Sequence, residues 1–108
     1  MGRIFTLDEA KALMPQVKAT TEPVYTLAAS LAEELSQAEE ANDETRTESL
    51  RERLQTLVQS WQQSMQDLEA EVKGLWLVDF DSGDSTLTFD LGNFMREGVE
   101  KYWLTKKY

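Results

Sequence analysis

An α+β fold is predicted: a long antiparallel helical hairpin with a short leading helix, plus a small C-terminal antiparallel β-sheet. Three observations predict it. Apolar residues recur at spacings of three and four from Leu7 to Val72, the period of a helix with one buried face. Gly74 then interrupts that period. Beyond it, Leu75 to Phe80 and Leu87 to Leu91 alternate with period two, as strands do.

The elements follow in order. Thr6 with Glu9 has the spacing of a capping box, and Phe5 with Ala10 could form a weak hydrophobic staple. Leu13 continues the apolar face. Met14, before Pro15, is biased away from helical angles. The leading helix is therefore expected over 7–14, with Pro15 near the first position of a second. Pro23 either kinks this second helix or restarts it. From Val24 the pattern is regular: Val24, Ala28, Leu31, Leu35, Ala38 and Asn42 make a coiled-coil-like seam. Asn42-Asp43-Glu44-Thr45-Arg46-Thr47 has no apolar residue and reads as the turn. Thr45 with Glu48 repeats the capping-box spacing, and Asp43 is an alternative cap.

The next helix is expected from about Thr45 to Lys73. Leu50, Leu54, Leu57, Trp61, Met65, Leu68, Val72 and Leu75 form its seam, and Gly74 stands as a left-handed C-terminal cap. Such a helix would span ~43 Å at the standard rise. Val58 and Tyr25 lie beside the seams and would profit from a further partner. In the sheet, Trp76, Val78 and Phe80 face one way, and Leu75, Leu77 and Asp79 the other. Asp81 to Ser85 is a turn in which Gly83 can take positive φ. Leu87, Phe89 and Leu91 alternate with Thr86, Thr88 and Asp90, and Gly92-Asn93 ends the hairpin. Phe94 to Gly98 is a connector. Val99 to Thr105 reads as a third strand, with a short C-terminal helix as the competing reading. One domain is expected over 1–108, with 1–73 as helical arm and 74–108 as sheet subdomain.

Composition narrows the chemistry. The chain has no cysteine and no histidine. That excludes disulfides, thiol nucleophiles, catalytic triads and histidine-bearing zinc sites. Twenty acids against 11 bases give a net charge of −9, and the acids are spread evenly. Such a surface repels phosphate backbones, so direct nucleic-acid binding is not expected. It suits a cytoplasmic protein. No stretch approaches the ~20 apolar residues of a membrane span, and no secretory leader is read at the N-terminus. Met1-Gly2-Arg3-Ile4-Phe5-Thr6 formally fits the loose myristoylation pattern, but an ordinary start with a small second residue is the simpler reading.

The candidate sites are few. Asp79, Asp81 and Asp84 crowd a strand end and a turn, where carboxylates can hold a hard cation. Their spacing does not match a twelve-residue calcium loop, and aspartates favour turns for their own hydrogen bonds. Glu48 with Glu52, and Asp67 with Glu71, stand one helical turn apart, but carboxylate di-metal bundles also want Glu-x-x-His. These pairs, with Glu33-Glu34 and Glu39-Glu40, read as solvated helix faces. Trp61 and Trp76 follow the buried period and read as core. Trp103 lies in Lys101 to Tyr108, a basic, aromatic tail that could stack on nucleic acid. A tail folded against an acidic neighbour is the simpler account.

Several of these residues resemble a known family. Phe5-Thr6-Leu7-Asp8-Glu9-Ala10 with Ala12-Leu13-Met14-Pro15 resembles the opening F-T-L-x-E-A-x-x-L-x-P of small bacterial proteins known as domain of unknown function 2203. Leu77-Val78-Asp79-Phe80, followed by a turn with Gly83, resembles that family's L-V-D-F-like strand. Tyr102-Trp103 stands where the family tends to have Tyr-Trp-His. The family's histidine would fall at Leu104, and a strand that often carries a cysteine and a tryptophan reads Leu87-Thr88-Phe89-Asp90-Leu91 here. The resemblance implies a fold and a bacterial source, and no activity.

The functional expectation is a non-enzymatic oligomerising or partner-binding protein acting through its hairpin, most simply a two-fold dimer forming a four-helix bundle. Val24, Leu31, Leu35, Leu54, Val58 and Trp61 are the interface candidates. No catalytic residue, cofactor or metal is expected. The alternatives are a cation-binding protein or carboxylate enzyme using Asp79, Asp81 and Asp84, and an acidic decoy for a basic nucleic-acid-binding protein.

Overall fold

The computed structural model describes residues 3–107. Met1 and Gly2 of the myristoylation pattern, and Tyr108 of the tail, lie outside the described residues. The fold is the expected α+β arrangement: a long helical hairpin set on a small antiparallel sheet. Helix α1 runs over Leu7–Glu40 and α2 over Glu44–Asp67. Strands β1 (Glu71–Gly74), β2 (Leu77–Asp81) and β3 (Ser85–Asp90) follow, then helix α3 (Leu91–Glu97) and strand β4 (Tyr102–Lys106). The last segment is thus a strand, beginning at Tyr102 rather than Val99.

The capping box predicted at Thr6 is present. Thr6 Oγ1 accepts from the Glu9 N–H at 3.1 Å, and Glu9 Oε1 accepts from the Thr6 N–H at 2.9 Å. The Thr6 amide, the Thr6 hydroxyl and Arg3 hold the Glu9 carboxyl below its ordinary pKa. The break expected at Pro15 does not occur, so the leading helix is the first part of α1. Both prolines lie inside that helix and face solvent. Each removes one backbone donor, at about 3 kcal/mol in a helix interior. The freed carbonyls belong to Lys11 and Ala19, which are exposed and can bind water. On the opposite side Ala10, Met14, Val17, Thr21 and Ala28 stay buried and bracket both prolines. That continuous burial outweighs the local preference for a stop.

The hairpin turn is tight. Asn42 takes a left-handed φ of 55°, and the Asp43 N–H returns to the Ala38 carbonyl at 3.0 Å, closing α1 as a Schellman motif. Asp43, the alternative cap, closes α2 through a bond from the Arg46 N–H, so the capping box expected at Thr45 and Glu48 does not form the helix start. The end of α2 corrects the expectation at Gly74. Glu69 takes φ 64°, and the Ala70 N–H reaches the Met65 carbonyl at 3.1 Å. The helix therefore stops at Asp67, seven residues before Gly74, which instead ends β1. Glutamate in this left-handed conformation is strained. Glu69→Gly is expected to stabilise the protein by about 0.5–1 kcal/mol, read as a higher urea midpoint at unchanged slope.

The sheet has the order β1-β2-β3-β4, all antiparallel. Its inner face carries Val78, Phe80, Leu87 and Phe89, each at most 1% exposed. The N-terminal half of α1 covers this face, with Phe5, Ala10, Met14 and Val17 in the same core. Leu91, expected on a strand, is buried at the start of α3, which Asp90 caps by accepting from the Asn93 N–H. Trp76 belongs to that core from outside the strand, in the β1–β2 turn at φ 63°. Leu75, expected on the helical seam, sits in the same turn, 58% exposed. A second, smaller core of Leu31, Ala38 and Leu50 closes the far end of the hairpin. The molecule measures 49 × 30 × 25 Å, its long dimension close to the ~51 Å expected of a helix as long as α1.

Candidate functional site

Two surfaces stand out once the core is removed from consideration: a flank of the helical hairpin, and the face and edge of the sheet. The flank is built from α1 and α2 beside their shared seam. Ala29 and Ala32 on α1 lie one position to the side of Ala28 and Leu31, so they miss the seam and face outward. Val58 on α2 is displaced in the same way, and Leu75 overhangs the end. With Tyr25, Leu54 and Trp76 these residues line a groove of about 260 Å³. It continues along α2 into a hollow of about 510 Å³ past Arg51, Gln55, Gln59 and Gln62. Of the described residues lining the two, Arg51 alone is charged, and it pairs with Glu39 at 2.8 Å. The opposite flank, around the 47%-exposed Leu27, is bordered by Glu52 and Arg53.

The interface candidates divide by depth. Leu31 and Trp61 are buried inside the hairpin at 3% and 0% exposure. Val24, Leu35 and Leu54 are half-buried along the seam, and Val58 is half-buried on the groove. Ala29, Ala32 and Leu75 were not singled out by sequence. The alanines stand one step off the line of the seam, a signal too weak to separate from ordinary surface alanine. Leu75 fits the seam spacing only if α2 continues to Lys73, which it does not.

The outer face of the sheet is polar. Asp79 is 6% exposed and accepts a bond from the Thr88 hydroxyl at 2.6 Å, with Lys73 Nζ 3.7 Å away. Asp81 accepts from the Gly83 N–H and from Lys107 Nζ. Lys107, then the Gly83 amide, hold its carboxyl below the ordinary range. Asp84 lies 3.4 Å from the Ser85 hydroxyl. Each carboxylate thus has a separate local partner, and among the described residues no group of three or more acids converges to hold a metal. The Asp67–Glu71 pair does not form on a helix, because Glu71 is in β1. Glu34 and Glu39 pair across the hairpin with Arg46 and Arg51. Such exposed pairs are worth a few tenths of a kcal/mol, about 0.2–1.

Trp61 and Trp76 meet edge to face at 5.0 Å, as core aromatics do. Trp103 stands apart, 41% exposed beside Thr88 on the outer face. The basic tail folds back in part, with Lys107 on Asp81. Lys18 ties the approach to β4 down, bonding Glu100 at 2.7 Å and lying 4.1 Å from the Phe94 ring centre. Among the described residues no helix is long and apolar enough to cross a membrane.

The family described as "Uncharacterized conserved protein (DUF2203)" matches residues 3–88. That span runs from the segment before α1 to Thr88 in β3, and takes in both the Phe5 to Pro15 and the Leu77 to Phe80 motifs. Tyr102-Trp103 lies beyond it. No curated protein and no solved structure matches the chain.

Proposed function

We propose that this chain, which belongs to the family of uncharacterized conserved proteins DUF2203, is a non-enzymatic binding protein that pairs with a second copy of itself through the groove on its hairpin flank. The observation that carries this reading is the charge-poor lining. In a chain that is 29% charged and carries −9, the groove and its continuation present alanine, valine, leucine, glutamine, Tyr25 and Trp76, with one arginine already paired. Bringing two equally acidic chains together costs self-repulsion. A neutral, self-complementary surface keeps that cost lowest, and a two-fold contact uses the same patch on both chains. The small residues Ala28, Ala29 and Ala32 let a helix approach closely, with Leu75 and Val58 as the apolar groups it would cover.

The non-enzymatic part rests on the side-chain inventory. Lacking histidine and cysteine, the chain has no side chain that ordinarily titrates near neutral pH. The core that joins hairpin and sheet supports reading 1–108 as one domain, and the acidic, cysteine-free composition suits the cytoplasm.

Sedimentation equilibrium tests the pairing. Wild-type protein in the micromolar range is expected at twice the chain mass. Ala32→Arg, at an exposed helical position, is expected at the single-chain mass with an unchanged far-UV circular dichroism spectrum. A wild type that sediments as one chain throughout that range would overturn the reading.

A further inference from the structure

Strand β4 pairs with β3 alone among the described residues. Its hydrogen-bond phase decides which groups are left over. The Asp90 N–H donates to the Lys101 carbonyl, and the Lys107 N–H donates to the Asp84 carbonyl, both at 2.9 Å. In an antiparallel ladder such pairs alternate, so the odd-numbered residues of β4 bond inward to β3. The N–H and C=O groups of Tyr102, Leu104 and Lys106 therefore point out from the edge. The side chains of these same three residues lie on the inner face, in register with Phe89, Leu87 and Ser85.

That part of the inner face is incompletely covered. Leu104 is 59% exposed, Ile4 57% and Leu7 37%. Together with Leu87 and the turn before β3 they border an open cleft of about 320 Å³ beside the edge. Lys11 lies 5.0 Å from the Tyr102 ring centre, at one end of this apolar strip. Lys106 stands at the other. Among the described residues Asp84 is the one acid lining the cleft. Over 101–107 the chain carries Lys101, Lys106 and Lys107 and no acid, the reverse of the molecule's overall charge.

We propose that β4 is a docking edge for an extended acidic peptide segment of a partner protein, added as a fifth strand, whose alternate aliphatic side chains enter the cleft at Ile4, Leu7 and Leu104. Strand addition takes its affinity from main-chain bonds and its selectivity from alternate side-chain pockets. The lysines choose the occupant. A second copy's β4, paired antiparallel about Leu104, would set Lys101 against Lys107 and bring three lysines from each chain to one edge, where, among the described residues, Asp81 offsets Lys107 alone. An acidic strand meets the same lysines with opposite charge. Lysines on an open edge deter self-pairing, and here the same lysines admit a partner of the other sign. This surface is separate from the hairpin groove.

The test is a titration of isotope-labelled protein, followed by amide chemical shifts, with an acetylated peptide alternating glutamate and valine. Shifts are expected at Tyr102, Leu104 and Lys106. A lysine–valine analogue, and an acidic analogue methylated on alternate amide nitrogens, should each bind at least about tenfold more weakly. Leu104→Pro removes one outward N–H and leaves the bonds to β3, a substitution tolerated on an edge. It should weaken the acidic peptide about tenfold, and Lys106→Glu provides the same comparison if the proline variant is unfolded. Equal binding of either analogue, or shifts confined to the hairpin, would overturn the proposal. So would a dimer that Leu104→Pro dissolves, which would place a second copy on the edge. Ala32→Arg should leave peptide binding unchanged, so this result and the pairing through the groove stand or fall separately.

Discussion

Trp61→Ala is expected to destabilise the protein by about 3–5 kcal/mol, the range for deleting a fully buried large aromatic. Trp61 is 0% exposed, and three elements depend on it. Its own helix is α2. Its Nε1–H donates to Thr21 Oγ1 on α1 at 2.9 Å. Its ring meets Trp76 of the β1–β2 turn at 5.0 Å and 65°, and Trp76 in turn meets Tyr25 at 5.3 Å. A small domain has about 5–15 kcal/mol in total, so the loss approaches the lower end of that range. Urea unfolding followed by far-UV circular dichroism should show the midpoint falling steeply. Thr21→Val isolates the polar part. It keeps the shape but leaves the buried indole N–H without an acceptor, at about 1–3 kcal/mol. A loss below ~1 kcal/mol for Trp61→Ala, far under the usual cost of such a deletion, would mean that hairpin and sheet are not joined through this residue.

Phe80→Ala is the second large effect, also about 3–5 kcal/mol. Phe80 lies at the centre of the inner face, 0% exposed. Its ring meets Phe5 at 5.0 Å and 81°, and Phe89 at 5.7 Å and 89°. Edge-to-face pairs of this kind add about 0.5–1.5 kcal/mol each beyond area burial. Phe5 is otherwise fixed by its N–H, which donates to the Asp81 carbonyl at 2.7 Å. The variant should therefore lose global stability and also loosen the segment before α1. Amide hydrogen exchange checks both at once: the Phe5 amide should exchange faster in Phe80→Ala than the global loss accounts for. An unchanged Phe5 amide would show that its backbone bond alone holds the segment.

The contrast between these residues and the α2 terminus shows what could be read from sequence. Trp61, Met65 and Leu50 followed the helical period, Val78, Phe80, Leu87 and Phe89 followed the strand period, and all are buried. Burial on one face imposes a period, and a period is visible in a sequence. The capping box at Thr6 was equally legible, because both of its partners are side chains of fixed type. The end of α2 was not. Glu69 adopts a conformation that usually calls for glycine, and a glycine five residues on drew the boundary to itself. Val72 added to the error, since it fits the helical seam and the strand face alike. Pro15 misled in the other direction. Local stereochemistry argued for a stop, and the burial that overrides it comes from the sheet, formed by residues more than sixty positions away.

Of the candidate surfaces, the three aspartates were legible as residues but not as an arrangement. Sequence placed them near one turn, whereas pleating, the Thr88 hydroxyl and Lys107 give each a separate partner. The β4 edge was hidden for a different reason. Which backbone groups of a strand point outward depends on hydrogen-bond phase, and that phase is a property of the pairing with β3.

The uninterrupted course of α1 has a mechanical consequence. One helix belongs to both cores, packing on the sheet through Ala10, Met14 and Val17 and on the hairpin tip through Leu31 and Ala38. The two prolines, residues that elsewhere make a swivel, face water while the packed side runs on past them. The sheet and the far end of the arm are thus two ends of a single girder. A load applied at the tip therefore reaches the sheet along one continuous helix.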